Sequence, residues 1–167
     1  SAEKGIRTLV DAALKLPDAR FAVAGTGPEA GLLVAASNIR ELGALPSAAV
    51  SDRMVAARAL VLPSIWYENF PRTLVEAFGC GLPVIASRIG ALAELIEDGV
   101  TGFLFEPRNP DDLASKLRWA HSHPDEMAEM GAAARKHYEA HFTANSNYRE
   151  LMAIYDTAIR EVKGGSA

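Results

Sequence analysis

A chain of 167 residues with 49% hydrophobic and 23% charged side chains has the make-up of one globular domain with a proper core. Its net charge of −4 argues against a broad nucleic-acid surface, and no apolar run approaches the roughly 20 residues that span a bilayer. Cys80 is the only cysteine, so no disulfide framework is expected; it reads as a small buried residue in a reducing compartment.

Taken in order, residues 4–16 place Ile6, Leu9, Val10, Ala13 and Leu14 on one helical stripe, which Pro17 stops. Arg20–Gly25 is a short apolar run entering the turn Gly25-Thr26-Gly27-Pro28, which reads as a strand. A weaker helix is expected over Glu29–Ala36, and a short strand over Ile39–Leu42. Ser47–Ala57 predicts a helix with Ser47 as its N-cap. The apolar run Ala59–Leu62 predicts a strand that ends at Pro63, followed by a long loop and a helix over Pro71–Phe78. Further strands are expected at Pro83–Ala86 and Gly102–Phe105, with a short helix at Ala91–Ile96 between them. The remainder is helical. One helix follows Asn109-Pro110, with Asn as cap and Pro at the first position. A second follows Pro124, with Met127, Met130, Ala134 and Tyr138 inward. The last covers about 144–163 and carries Tyr148, Leu151, Met152, Tyr155, Ala158 and Ile159 on one face.

Strands alternating with helices imply a parallel sheet with helices on both faces. Continuously apolar strands fit that arrangement, because both faces are then covered. Ligands of such sheets sit where strands lead into loops at their carboxyl ends. Here those loops are Gly25–Pro28, Gly43–Pro46 and Pro63–Pro71, the last being the longest.

That last loop carries the chemistry. Pro71 suits the first position of a helix, since its missing N–H has no partner there. The amides of Arg72 and Thr73 are then expected unpaired at a positive helix end, which attracts a diphosphate. Glu76 stands about five residues in, roughly 7–8 Å along the axis, and Glu68 lies in the loop before it. Two carboxylates around an anion site can accept hydrogen bonds from the hydroxyls of a ribose and a hexose. Two glutamates eight apart are also common by chance on solvated surfaces, so the pair alone decides little.

The wider pattern decides more. Pro63, Ser64, Glu68, Phe70, Glu76, Ala77, Gly81, Pro83, Val84, Ala86 and Ser87 stand in the register of the donor-binding half of family 4 retaining glycosyltransferases, which have the GT-B fold. The resemblance extends to Glu3-Lys4-Gly5, Gly25-x-Gly27-Pro28, Gly90, Glu94 and Asp98-Gly99-x-x-Gly102, and so covers the chain. It implies a Rossmann-like α/β domain, residues 1–167, which is one half of a GT-B fold without its first strand. The C-terminal helix, 144–163, would pack toward an N-terminal acceptor domain that the chain does not include. By the same resemblance, Lys4 contacts the donor diphosphate, Glu76 the ribose and Glu68 the transferred sugar. Gly25 and Gly27 admit the donor to the backbone, and amides after Phe70 face the phosphates or sugar. The implied donor-binding set is therefore Gly25, Gly27, Asn69, Phe70, Pro71, Arg72, Thr73 and Glu76, with Glu68 and Lys4 catalytic.

The sequence departs from the family pattern at Asn69 and Pro71, each in place of a glycine, and at Ala91 and Ala93. Pro71 removes one amide donor, which moves the expected phosphate contact to Arg72 and Thr73. The resemblance implies no metal or cofactor beyond the nucleotide-sugar donor. His137 and His141, at i and i+4, have the spacing of a metal pair but lie on a polar helix without a supporting motif, and read as a solvated face. The expected partners are the donor and the N-terminal half, with no nucleic acid. The expected location is cytoplasmic, any membrane association coming through that other half. Two other readings stay open: a non-catalytic nucleotide-sugar module, and half of a sugar-nucleotide epimerase.

Overall fold

The computed structural model describes residues 2–67 and 69–164, with side chains at 150 and 156–164 left out. A 3-10 turn (Ala2–Lys4) leads into α1 (Ile6–Ala13), β1 (Phe21–Ala24), a 3-10 helix (Ala30–Ala35), β2 (Ile39–Gly43), α2 (Ser47–Ala56) and β3 (Leu60–Leu62). There follow α3 (Arg72–Gly79), β4 (Val84–Ser87), α4 (Gly90–Leu95), β5 (Gly102–Phe105), α5 (Pro110–Ser122), α6 (Pro124–His141) and α7 (Ala144–Gly164). All strand pairings are parallel. The alternation read from the sequence is therefore the observed order, with the Glu29–Ala36 segment wound as a 3-10 helix instead of an α-helix.

The described strands form two sheets, not one: β1-β2, and β3-β4-β5. Edge strands β1 and β3 both line a single cleft, and neither pairs across it. The three-stranded sheet is covered on both faces. Along β4 successive side chains point to opposite sides. Val84 and Ala86 join Leu74, Phe78, Leu104 and Ala134 on the side of α3 and α6. Ile85 joins Phe105, Leu113 and Leu117 on the side of α5. All four β4 residues are buried, which is why this strand is apolar without alternation. In β1 the pattern breaks. Phe21 and Val23 pack under α1 with Val10, Leu33 and Ile39, while Ala22 and Ala24 on the other face are exposed beside the cleft. Helices cover both faces of the larger sheet only.

Local signals account for most element ends. Asn109 Oδ1 accepts from the amides of Asp111 and Asp112 at 3.1 Å each, with Pro110 opening α5. Asn38 Nδ2 donates to the carbonyls of Ala13, Leu16 and Ala19, closing α1 and its following turn onto the start of β2. Two caps differ from expectation. Ser47 is the first residue of α2 and its side chain caps nothing; Pro46 stands in the extended N-cap position. Pro71 likewise is the N-cap of α3, not its first residue, with φ −81° and ψ 78°. Cys80 is half-buried, not fully enclosed, since it follows the last turn of α3.

Close backbone contacts fix the site's frame. Gly5 has φ +67°, and a Cβ there would lie 1.8 Å from the Pro63 carbonyl oxygen. Together with the bond from Ile65 N–H to Glu3 O, 2.8 Å, this pins the Lys4 turn to the end of β3. On the far side, α6 crosses α3 closely enough that a Cβ at Gly131 would stand 2.3 Å from Gly81 O.

Candidate functional site

The cleft between the sheets has a volume of about 1550 Å³ and runs along the β1 and β3 edges, from residues 18–20 and 57–59 at their amino ends to Gly25, Gly27 and Ser64 at their carboxyl ends. Lys4, Gly25, Gly27, Pro71, Arg72, Thr73 and Glu76 all line it. The residues singled out in the sequence thus converge from three separate stretches of chain. Asn69 and Phe70 are not in its lining; Phe70 is 60% exposed on the outside of the loop. Glu68 lies outside the described residues.

Helix α3 presents its N-terminus to the cleft. Its first turn differs from the expectation in one respect. Arg72 N–H donates to Phe70 O at 2.9 Å, so that amide is not available to a ligand. The cause is Pro71: as N-cap it turns the chain so that Phe70 O meets the Arg72 amide. Pro71 O then accepts from Leu74 and Val75. The Thr73 amide has no acceptor among the described residues and is left as the free donor at this helix end. Among the described residues the unpaired amide of this first turn is therefore that of Thr73, one residue beyond Arg72.

Arg72 and Glu76 also face each other. Arg72 Nε donates to Glu76 Oε1 at 3.0 Å, an i,i+4 pair with both side chains largely in solvent. Such a pair contributes only about 0.3–0.5 kcal/mol, so a ligand offering either partner a better contact can open it. Lys4 stands on its 3-10 turn, which is pinned to the end of β3, with its side chain exposed.

Among the other residues that line the cleft are Glu29, Ser47 and Ser64, none of which the sequence reading assigned to the donor site. Glu29 directly follows Gly25–Pro28, and Ser47 follows the Gly43–Pro46 loop. Their position just after two strand-end loops was the signal available for both. Ser64 is 2% exposed at the end of β3, beneath the Lys4 turn's contact with Ile65.

Elsewhere, two groups titrate away from their ordinary values. Partial burial pushes the Asp98 carboxyl up, but the Leu104 amide, Arg88 and Lys116 outweigh it and hold it below the usual range. His137 is lowered, first by burial against Phe78 and then by neighbouring His141, with Glu97 opposing. The two histidine rings lie 4.7 Å apart between centroids. Among the described residues no group of three potential metal ligands comes together, and no helix is long and apolar enough to cross a membrane.

A family model described as glycosyl transferases group 1 matches residues 1–137. A D-inositol 3-phosphate glycosyltransferase from Mycobacterium sp. (strain KMS) is 34% identical over 171 residues, covering 93% of this chain and 37% of that protein. Among solved structures, a sucrose-phosphate synthase from Thermosynechococcus elongatus superposes with a TM-score of 0.84 at 25% identity, over 96% of this chain and 44% of its own. Anabaena Alr3699/HepE in complex with UDP-glucose superposes with a TM-score of 0.82 at 24% identity, over 94% of this chain and 46% of its own. The chain thus spans less than half the length of each of these relatives.

Proposed function

The chain belongs to the group 1 glycosyl transferases, in the C-terminal half of the GT-B fold, and on that premise we propose that it is the donor-binding half of a retaining enzyme. The parent protein moves a sugar from a nucleotide-diphosphate donor to an acceptor hydroxyl, in polysaccharide or glycolipid synthesis. One observation carries the reading: Lys4 on its 3-10 turn and Thr73 and Glu76 on α3 line the same cleft beside Gly25 and Gly27. The complex of HepE with UDP-glucose gives it further support.

In this reading the donor diphosphate lies at the N-terminus of α3. The Thr73 amide and the helix dipole face it, and the Lys4 ammonium, on the lining of the same cleft, supplies a second positive group. Charge that develops on the leaving diphosphate is stabilised by groups already in place, which lowers the barrier without a metal. Glu76 exchanges its weak pair with Arg72 for the ribose hydroxyls, and Arg72 is released toward the phosphates. Glu68 contacts the transferred sugar. Gly25 and Gly27 carry no side chains to keep the donor from the backbone.

The exposed side chains of Tyr148, Leu151, Met152 and Tyr155 form one stripe of α7 and supply a contact face for the acceptor-binding half. The enzyme works in the cytoplasm and meets any membrane through that other half. The test is donor turnover by the full-length protein carrying Glu76→Ala. Loss of a hydrogen-bonding carboxylate on the ribose should cut turnover by about tenfold to 100-fold at limiting donor. Unchanged turnover counts against the ribose role. Donor binding without any transfer in the unaltered protein points instead to a binding module.

A further inference from the structure

β1 and β3 are both edge strands, and an unpaired edge presents a row of N–H and C=O groups that can template another strand. In a parallel ladder one residue gives its backbone groups to the neighbour on one side and the next residue gives them to the other. Phe21 N–H donates to Asn38 O and Gly25 N–H to Gly43 O, so Phe21, Val23 and Gly25 face β2. Ala22 and Ala24 therefore turn their backbone groups to the cleft. By the same count Leu60, whose N–H donates to Pro83 O at 3.0 Å, faces β4 together with Leu62, and Val61 faces the cleft. No strand among the described residues pairs with either row.

The cleft between the rows has the shape and lining of a strand slot. It runs from Arg20 and Ala59 to Gly25 and Ser64, which is room for about five or six extended residues at roughly 3.3 Å each. Leu33 from one core cluster and Ile85, Leu117 and Ala120 from another line it. Apolar side chains on both sides suit a strand that is covered on both faces. One rung of the further ladder is present. Ile65 stands four residues on from Val61, in step with the cleft-facing row, and its N–H donates to Glu3 O at 2.8 Å. The chain entering α1 thus lies against the cleft side of β3 at its carboxyl end, with Gly5 packed on Pro63 O. A segment running parallel to β1 and β3 leaves the slot at that end. From there α1 leads back to β1, the helical crossover that parallel neighbours require.

We propose that one apolar strand of the same polypeptide, directly ahead of Ala2, fills this slot parallel to both edges. It joins the two sheets into one, lying between β1 and β3. Its backbone pairs with Ala22 and Ala24 on one side and with Val61 on the other. A ligand is then left only the carboxyl-end part of the cleft, where Lys4, Gly25, Gly27, Thr73 and Glu76 stand. The assignment is independent of what binds there.

The experiment is amide hydrogen exchange and Overhauser spectroscopy on the isotopically labelled full-length protein, without nucleotide. The amides of Ala22, Ala24 and Val61 should exchange about 100-fold or more slower than unprotected amides, in step with those of Val23 and Leu60. Overhauser contacts should join the Ala22 and Val61 amides to residues directly ahead of Ala2. Fast exchange at Ala22, Ala24 and Val61 beside slow exchange at Val23 and Leu60 overturns the strand. Slow exchange with contacts to another stretch of the polypeptide, or protection that grows with protein concentration and so reports a second copy, overturns the assignment to this segment. Either result leaves the donor-site reading standing.

Discussion

Two glycines with the same backbone angle separate strain from collision. Gly5 and Gly43 both have φ +67°. At Gly43 an added Cβ meets nothing within 4 Å, whereas at Gly5 it falls 1.8 Å from Pro63 O and 3.4 Å from Ile65 Cγ2. Gly43→Ala therefore carries the left-handed penalty alone, about 1–2 kcal/mol, partly offset by the lower entropy of the unfolded chain, about 0.4–1 kcal/mol. The net loss is about 1 kcal/mol. Gly5→Ala carries the same penalty and must also push the Lys4 turn more than an ångström off β3. Overpacking of that kind costs about 1–3 kcal/mol, and loss of the bond from Ile65 N–H to Glu3 O adds about 1 kcal/mol. The expected total is about 3–5 kcal/mol, against about 1 for Gly43→Ala. Urea unfolding followed by far-ultraviolet circular dichroism measures both. Thermal midpoints should fall by about 2–4 °C per kcal/mol. Equal destabilisation by the two substitutions would show that the packing of Gly5 on Pro63 is not what fixes the Lys4 turn.

Removing the α5 cap with Asn109→Ala should cost about 1 kcal/mol, seen as a lower urea midpoint with unchanged slope, because two amides lose their acceptor. Stability should rise with pH through the His137 titration. Its folded pKa lies below the ordinary 6.5, so the unfolded chain binds more protons; the contribution is complete above 6.5 and is lost as pH falls through the folded value. His137→Gln should flatten the thermal midpoint against pH in that window, and an unaltered profile refutes the assignment. Asp98 follows the same sign at more acidic pH: its stabilisation is complete above the ordinary value of 3.8 and is lost as pH falls through the lowered folded value. Arg72→Ala should leave stability within about 0.5 kcal/mol, since it breaks only an exposed pair, yet weaken donor affinity measurably.

The alternation of elements was legible because each carries a local cause. Asn109-Pro110 announces a helix start, and the unbroken apolar run of β4 reports burial on both faces. The division into two sheets was not legible, because strand pairing depends on what lies beside an edge. Nothing in Phe21–Ala24 or Leu60–Leu62 states that the two edges fail to meet. Arg72 and Thr73 could be named from the helix start at Pro71, and Lys4, Gly25, Gly27 and Glu76 from the resemblance to the family. Three details could not. The Arg72 amide is consumed because Pro71 caps α3 instead of beginning it, a one-residue shift that propensity does not resolve. The Arg72–Glu76 pair is a rotamer choice. The unpartnered oxygen of Glu29 emerges only when the surrounding chain is in place.

The central claim is that a nucleotide diphosphate lies across the N-terminus of α3 and against the Gly25–Pro28 turn. Amide chemical-shift mapping of the protein titrated with nucleoside diphosphate tests it most directly. The account predicts saturable shifts at Thr73, Glu76, Gly25 and Gly27, with Arg72 following as its pair with Glu76 opens. Shifts confined to α5, α6 or α7, or none at millimolar nucleotide, would contradict it.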